Sequence, residues 1–404
     1  MTIIRPHFIL TPQALLENQA IAFDVTIKKI ADFESLHVSF PGAEIIELEK
    51  NSLIIPGLIN THIHLEFSAN KTTLEYGSFM PWLHSVIKNR DDLMLTCKEE
   101  CMSRAVDLML HSGTTSFGAI SSHGLDLDIA QKAAQNVVFF NELIGSQAVM
   151  ADTLYGDFLE RLDSAKSIKR EGFQAGVAIH SPYSVHPILI KRALRVAKNE
   201  KLPLSAHFME SPAEKEWCQN NSGEFVSFFK EFLKQEYAVN SSDEFLELFK
   251  GHPTLMTHVT QASKEQLQKL HDDKHTVVHC PVSNRLLGNG ALDIDMLEDA
   301  KLDWLIATDG LSSNYTLNLF EEMKIALFMH HGQDLLSFAK KLFDSVTCKA
   351  AEALKLNTGS IEEGKNADML VLNLGETPNE QLVLHLILHQ YKIQSVYING
   401  TKAL

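Results

Sequence analysis

The stretch GLINTHIHLE, residues 57–66, places two histidines, His62 and His64, one residue apart in an otherwise apolar run. Side chains alternate along a strand, so both imidazoles point to one face. A strand on its way into a core does not carry two imidazoles as filling, because buried polar groups without partners are costly. Alone, the pair also fits two ordinary surface histidines. The rest of the chain has to decide.

Seven further apolar runs follow at intervals: TTSFGAI (114–120), NVVFFNELI (136–144), FQAGVAIHSP (173–182), LPLSAHFM (202–209), PTLMTHV (253–259), TVVHCPV (276–282) and LDWLIATD (302–309). Between most of them lie longer amphipathic stretches. In KEECMSRAVDLMLHSG, for example, Met102, Val106, Met109 and Leu110 share a helical face and Gly113 supplies the stop. Strands alternating with helices indicate βα units and a parallel sheet. Eight such units favour an α/β fold of the (β/α)8 TIM-barrel type, with a doubly wound open sheet as the alternative.

Outside this middle part the pattern changes. IIRPHFIL, AIAFDVTIKKI and AEIIELE near the start, and ADMLVLNL and VYINGTKAL near the end, read as short strands with turns. Neither group is large enough to fold alone. The expectation is a small composite β-sandwich domain built from residues 1–54 and 356–404, beside a barrel over 55–355. The segment between Glu210 and Pro253, rich in Phe and Trp, is expected to form extra outer helices, with an active-site lid as the other reading.

Polar residues recur where the apolar runs end. His207 closes the fifth run with Glu210 three residues on, His258 closes the sixth, His279 lies in the seventh and Asp309 ends the eighth. Barrel active sites are assembled at the C-terminal ends of their strands. Imidazoles and a carboxylate gathered there suit a divalent ion that leaves room for water and lowers its pKa toward 7. Glu210 is then near enough to move protons without being a ligand.

These motifs resemble the amidohydrolase superfamily across nearly the whole chain. PGLINTHIHLE is similar to its first-strand signature, HFME to its fifth-strand HxxE, HCPVSN to its seventh-strand motif, ATDG to its eighth and GSIEEGKNADMLVLNL to its re-entry into the terminal β domain. The resemblance implies that His62, His64, His207 and Asp309 bind the metal. It implies that Asp309 takes a proton from the metal-bound water, that Glu210 protonates a ring nitrogen and relays a proton to the leaving amine, and that His258 orients the hydroxide. Binuclear branches carry a carbamylated lysine on the fourth strand. Here that strand reads QAGVAIHSP, so one divalent ion is expected, zinc first, with iron or manganese as alternatives.

Within the single-metal branch the chain is most similar to the 6-amino-6-deoxyfutalosine deaminases of menaquinone biosynthesis. The stretches that carry the likeness are NTHIHLEFSANKTTLEYGSFMPWLHSVIKNRDDL, FNELIGS and HSPYSVHP. The implied activity is hydrolysis of the exocyclic C–N bond of an adenine nucleoside. Alternatives are deamination of S-adenosylhomocysteine, methylthioadenosine, adenosine, guanine or cytosine, a chlorohydrolase of the same fold, and an inactive scaffold. Candidate substrate contacts are Glu66, Trp82, Glu142, Ser146, His180 and His279.

Composition narrows the partners. The chain has 404 residues, with 36 basic against 51 acidic and a net charge of −15. No basic footprint for nucleic acid is visible. No apolar run reaches the roughly 18 residues of a membrane span, and MTIIRPHFIL lacks the features of a signal peptide. The expectation is a cytoplasmic enzyme of a small molecule, with a homodimer implied by the resemblance. Five cysteines without a CxxC pair, at 97, 101, 218, 280 and 348, are expected to be reduced thiols. Near misses exclude other chemistries. GSIEEGKN lacks the hydroxyl residue and the following helix of a phosphate loop. His64-Leu65-Glu66 has no PCxxC to complete a cytidine-type zinc site. No GxSxG is present, and Cys280 in its apolar strand is expected to be an inert thiol.

Overall fold

The structure, a computed structural model, describes residues 1–69, 72–96, 99–389 and 391–404. Cys97, and the Asn70-Lys71 pair within the first futalosine-deaminase-like stretch, lie outside the described residues.

Eight parallel strands form one sheet in sequence order: β1 (Leu58–Ile63), β2 (Thr114–Ser121), β3 (Asn136–Leu143), β4 (Phe173–Ile179), β5 (Leu204–Phe208), β6 (Leu255–His258), β7 (Thr276–His279) and β8 (Trp304–Ile306). Strand order that follows chain order, with helices between, is a barrel and not a doubly wound sheet. The seam between β8 and β1 is joined by side-chain and backbone hydrogen bonds. Asn60 Nδ2 donates to Thr308 Oγ1 at 2.7 Å, the Thr308 amide donates to Asn60 Oδ1 at 3.2 Å, and the Asp309 amide donates to the His62 carbonyl at 3.1 Å. This seam fixes Asp309 directly against His62.

The outer helices follow the apolar spacing. In the helix Glu99–His111, Met102, Ala105, Val106, Met109 and Leu110 are the buried side chains. Gly113 follows at φ +90, a left-handed conformation that glycine adopts without strain. The helix Pro187–Glu200 begins with proline, is capped by the His186 side chain and ends at a left-handed Lys201.

Two smaller sheets flank the barrel. One joins Ile27–Ala31, Ala20–Phe23, Thr2–Arg5 and Glu44–Glu47. The other joins strands from both ends of the chain: Met369–Asn373 runs antiparallel to Ser52–Pro56 on one side and to Ile393–Ile398 on the other. Ile4, Ile21 and Phe23 from the first sheet and Ile54, Met369 and Tyr397 from the second share one apolar core, which makes the pair a small β-sandwich.

The segment after Glu210 is helical: Pro212–Asn220, Phe225–Phe228, a π-helical turn Phe229–Leu233, and Ser242–Phe249. Trp217, Phe225 and Phe229 pack with Phe79 and Tyr183 in a separate aromatic cluster. No helix among the described residues is long and apolar enough to cross a membrane. No disulfide is present among the described cysteines.

Candidate active site

A cavity of about 580 Å³ opens at the C-terminal ends of the strands, lined by His64, His207, Glu210, His258 and Asp309 among others. The backbone there is unusual. Met209, His258, Val259 and Asp309 all have positive φ, at +50, +73, +56 and +59. Such conformations cost non-glycine residues energy and are kept where the surroundings over-determine them, commonly at functional sites.

His62, His64 and His207 present ligand nitrogens within 4.8 Å of one another. Asp309 Oδ1 lies 3.8 Å from His62 Nε2 and 3.6 Å from His64 Nε2. His62 Nε2 is buried with no hydrogen-bond partner among the described residues, while its Nδ1 pairs with Thr257 Oγ1 at 3.2 Å. His207 donates through Nδ1 to the His180 carbonyl at 3.0 Å, which leaves a lone pair on its Nε2. Burial pushes the pKa of both His62 and His207 well down, so both rings are neutral. A buried, bare nitrogen on His62 beside the His64 and His207 rings and a carboxylate, with His62, His207 and Asp309 each held by a hydrogen bond on the far side, fits a divalent metal ion.

Asp309 is held from several sides. Ser283 and Ser313 hydroxyls each donate to Oδ2 at 2.8 Å, and the Gly310 amide donates to Oδ1 at 2.7 Å. Burial pushes its carboxyl up, but His64, His62, His258 and Ser283 outweigh that and hold it at about 2.

Glu210 is in the opposite condition. Burial first, then Asp309 and Glu214, raise its pKa well above the carboxylate range. Its Oε1 accepts from Asn289 Nδ2 at 3.2 Å and lies 3.5 Å from His258 Nε2. Two nearby carboxyls are thus pushed in opposite directions, Asp309 toward its ionised form and Glu210 toward its protonated one, which is how acid and base roles separate. His258 Nδ1 meets Asn284 Oδ1 at 2.9 Å, which leaves Nε2 turned toward Glu210.

The structure brings some of the expected substrate contacts to the cavity and places others elsewhere. Trp82, Glu142 and His180 line it. Trp82 donates to the Ser312 carbonyl at 2.9 Å. Glu142 Oε2 accepts from Ser122 Oγ at 2.6 Å, while its buried Oε1 has no hydrogen-bond partner among the described residues and lies 3.8 Å from His207 Nδ1. His180 is held through Nδ1 by Ser184 Oγ at 2.7 Å, and Glu142, His180 and His207 form a second closely spaced group. Glu66, Ser146 and His279 are not among the residues lining the cavity. The Glu66 carboxylate instead accepts the backbone N–H groups of Ser122, His123 and Leu125 at 2.8–3.1 Å. His279 pairs with His330.

Glu214 joins the site without being among the residues that the sequence motifs mark. It accepts the amides of Met209 at 2.9 Å and Glu210 at 2.8 Å, and burial lifts its pKa to about 7. Its signal is present in the chain: Ser211-Pro-Ala-Glu214 has capping-box spacing just past a strand. Asn284 and Asn289 are further additions, although Asn284 stands inside HCPVSN.

Comparison with known proteins gives the family. The chain is 49% identical over 402 residues to an aminodeoxyfutalosine deaminase of a Nitratiruptor species, covering 99% of this chain and 98% of that one. It is 34% identical over 396 residues to an adenosine deaminase of Helicobacter pylori, covering 96% of each. Its fold superposes on crystalline Helicobacter pylori aminofutalosine deaminase in complex with methylthio-coformycin with a TM-score of 0.94, 32% identity and all of both chains covered. The model of the amidohydrolase family matches residues 53–403, and the chain belongs to that family.

Proposed function

We propose that the protein is a metal-dependent aminohydrolase that converts 6-amino-6-deoxyfutalosine to futalosine and ammonia, a step of menaquinone biosynthesis. The observation that carries this reading is the pairing of a protonated Glu210 with an ionised Asp309 over the His62, His64 and His207 cluster. The 49% identical relative points to the same substrate. Methylthioadenosine, S-adenosylhomocysteine and adenosine are the alternatives, and the adenosine deaminase among the relatives keeps them in view.

His62, His64, His207 and Asp309 would hold one divalent ion, zinc before iron or manganese. When bound, such an ion makes a water nucleophilic near neutral pH. The chain's residues do the rest. Asp309, already ionised, accepts the proton that the attacking water loses. Glu210 gives its proton to the ring nitrogen beside the aminated carbon, takes the proton of the added hydroxyl and carries it to the departing amine, and is reprotonated by the proton held on Asp309, so that ammonia leaves and a carbonyl remains. His258 directs Nε2 at the water's approach. Trp82 covers the base, and Glu142 and His180 take the sugar hydroxyls. A second metal has no lysine on β4 to bridge it. The working form is a homodimer in the cytoplasm.

The test is ammonia release by metal-loaded protein from 6-amino-6-deoxyfutalosine, adenosine, methylthioadenosine, S-adenosylhomocysteine, guanine and cytosine side by side. A preference for the first is expected. A preference for another ring keeps the chemistry and corrects the substrate. No release from any of the six overturns the proposal.

A further inference from the structure

His279 lies at the end of β7, fully buried, yet does not line the cavity. Its Nε2 is 3.0 Å from Nε2 of His330, the partly exposed residue that caps the helix Leu319–Met329. Its Nδ1 is 3.3 Å from Asn284 Nδ2. Asn284 Oδ1 is in turn 2.9 Å from His258 Nδ1. Four side chains thus form one hydrogen-bonded row from the helix end to the reacting centre.

We propose that His330 is a positioning residue that sets which nitrogen of His258 carries the proton, acting through His279 and Asn284. The inference rests on the aminohydrolase reading only for its effect on rate.

An amide has one accepting and one donating end, so its two neighbours play opposite roles. The oxygen end faces His258, whose Nδ1 therefore carries hydrogen. The nitrogen end faces His279, whose Nδ1 is therefore bare. A neutral His279 then has its proton on Nε2 and donates to His330, whose Nε2 accepts. Burial lowers the pKa of both rings, which keeps them neutral; Asp293 and Asp295 oppose this at His330. An acceptor at position 330 is what holds the row in this sense. Remove it, and the buried Nε2–H of His279 has no partner. The row relaxes by reversing: His279 protonates Nδ1, the Asn284 amide turns over, and the His258 proton moves to Nε2. A proton there blocks the nitrogen that must accept a hydrogen bond from the attacking water, whose proton goes to Asp309.

The test is ¹⁵N NMR of histidine-labelled, metal-loaded protein, with the His258 signals assigned from a His258→Asn variant. The wild type is expected to show hydrogen on Nδ1 of His258 and on Nε2 of His279. His330→Gln keeps an acceptor and should keep this pattern, with kcat within about twofold. His330→Leu should move the His258 proton to Nε2 and lower kcat about tenfold or more at little change in KM. The opposite pattern in the wild type overturns the proposal without any variant. So does an unchanged His258 signal in folded His330→Leu. These signals are read without turnover, so a failed substrate assignment leaves this test standing.

Discussion

His258 Nε2 and Glu210 Oε1 lie 3.5 Å apart, at the ends of two neighbouring strands. In the proposed mechanism one is the imidazole that faces the water's path, the other the acid that faces the leaving group. Asn284 holds the first from behind and Asn289 the second. The distance leaves room for substrate atoms to come between them, and catalytic contacts often tighten only when substrate is bound.

His207→Ala removes a proposed metal ligand together with its hydrogen bond to the His180 carbonyl. The variant should lose bound metal and at least about 10³-fold in rate while keeping its fold. Metal analysis of the dialysed protein and far-UV circular dichroism check this. Full metal retention would remove His207 from the ligand set.

Gly310→Ala tests how closely Asp309 is seated against β1. A Cβ at Gly310 would meet His64 Cβ at 2.9 Å and the His64 carbonyl at 3.0 Å. One of the two must shift. Metal affinity should fall about tenfold or more, as for other losses of ligand support, with a small change in Tm. A competitive chelator titration measures it, and an unchanged affinity would show that the seat is loose.

Glu66→Ala leaves three loop amides without their common acceptor. Ser122 and His123 of that loop line the cavity. Stability should drop by about 1–3 kcal/mol and KM should rise more than kcat falls. A direct substrate contact would instead leave stability untouched, so urea melts beside steady-state kinetics separate the two roles.

His275, buried ahead of β7, accepts the Thr254 amide through Nδ1 at 3.2 Å, and burial lowers its pKa from 6.5 to about 4. Between those values the unfolded chain binds the extra proton and the folded one does not. Stability therefore rises with pH across this window and is lost as pH falls through it, by at most about 3 kcal/mol. His275→Gln should flatten this part of the pH dependence. Urea midpoints of metal-free wild type and variant between pH 4 and 7 give the comparison, and equal slopes would exclude His275 as the source.

Much of this was legible in the chain because its signals are local. The apolar runs and their polar ends mark the eight strands, and a parallel barrel gathers those ends automatically. His62, His64, His207, Glu210, His258 and Asp309 therefore come together from strand register alone. Glu66 and His279 have the same local appearance, one just past a strand and one ending a strand, yet face other partners. What decides their direction lies far along the chain: loop amides at 122–125 for Glu66, and His330 for His279. No spacing rule reports a contact 51 residues away on a helix end. Glu214 is different, since its capping-box spacing is readable. Its buried hold on Glu210 is not, because burial is a property of the packed helix.

The most direct measurement is metal content together with single-turnover rate for Glu210→Gln on 6-amino-6-deoxyfutalosine. Glutamine keeps the shape but has no proton to give a ring nitrogen. The expected result is one bound ion per chain, as in the wild type, and a rate lower by about 10²–10⁴-fold. Wild-type turnover by this variant would contradict the assignment of Glu210 as the proton carrier, and loss of the ion would place it among the ligands instead.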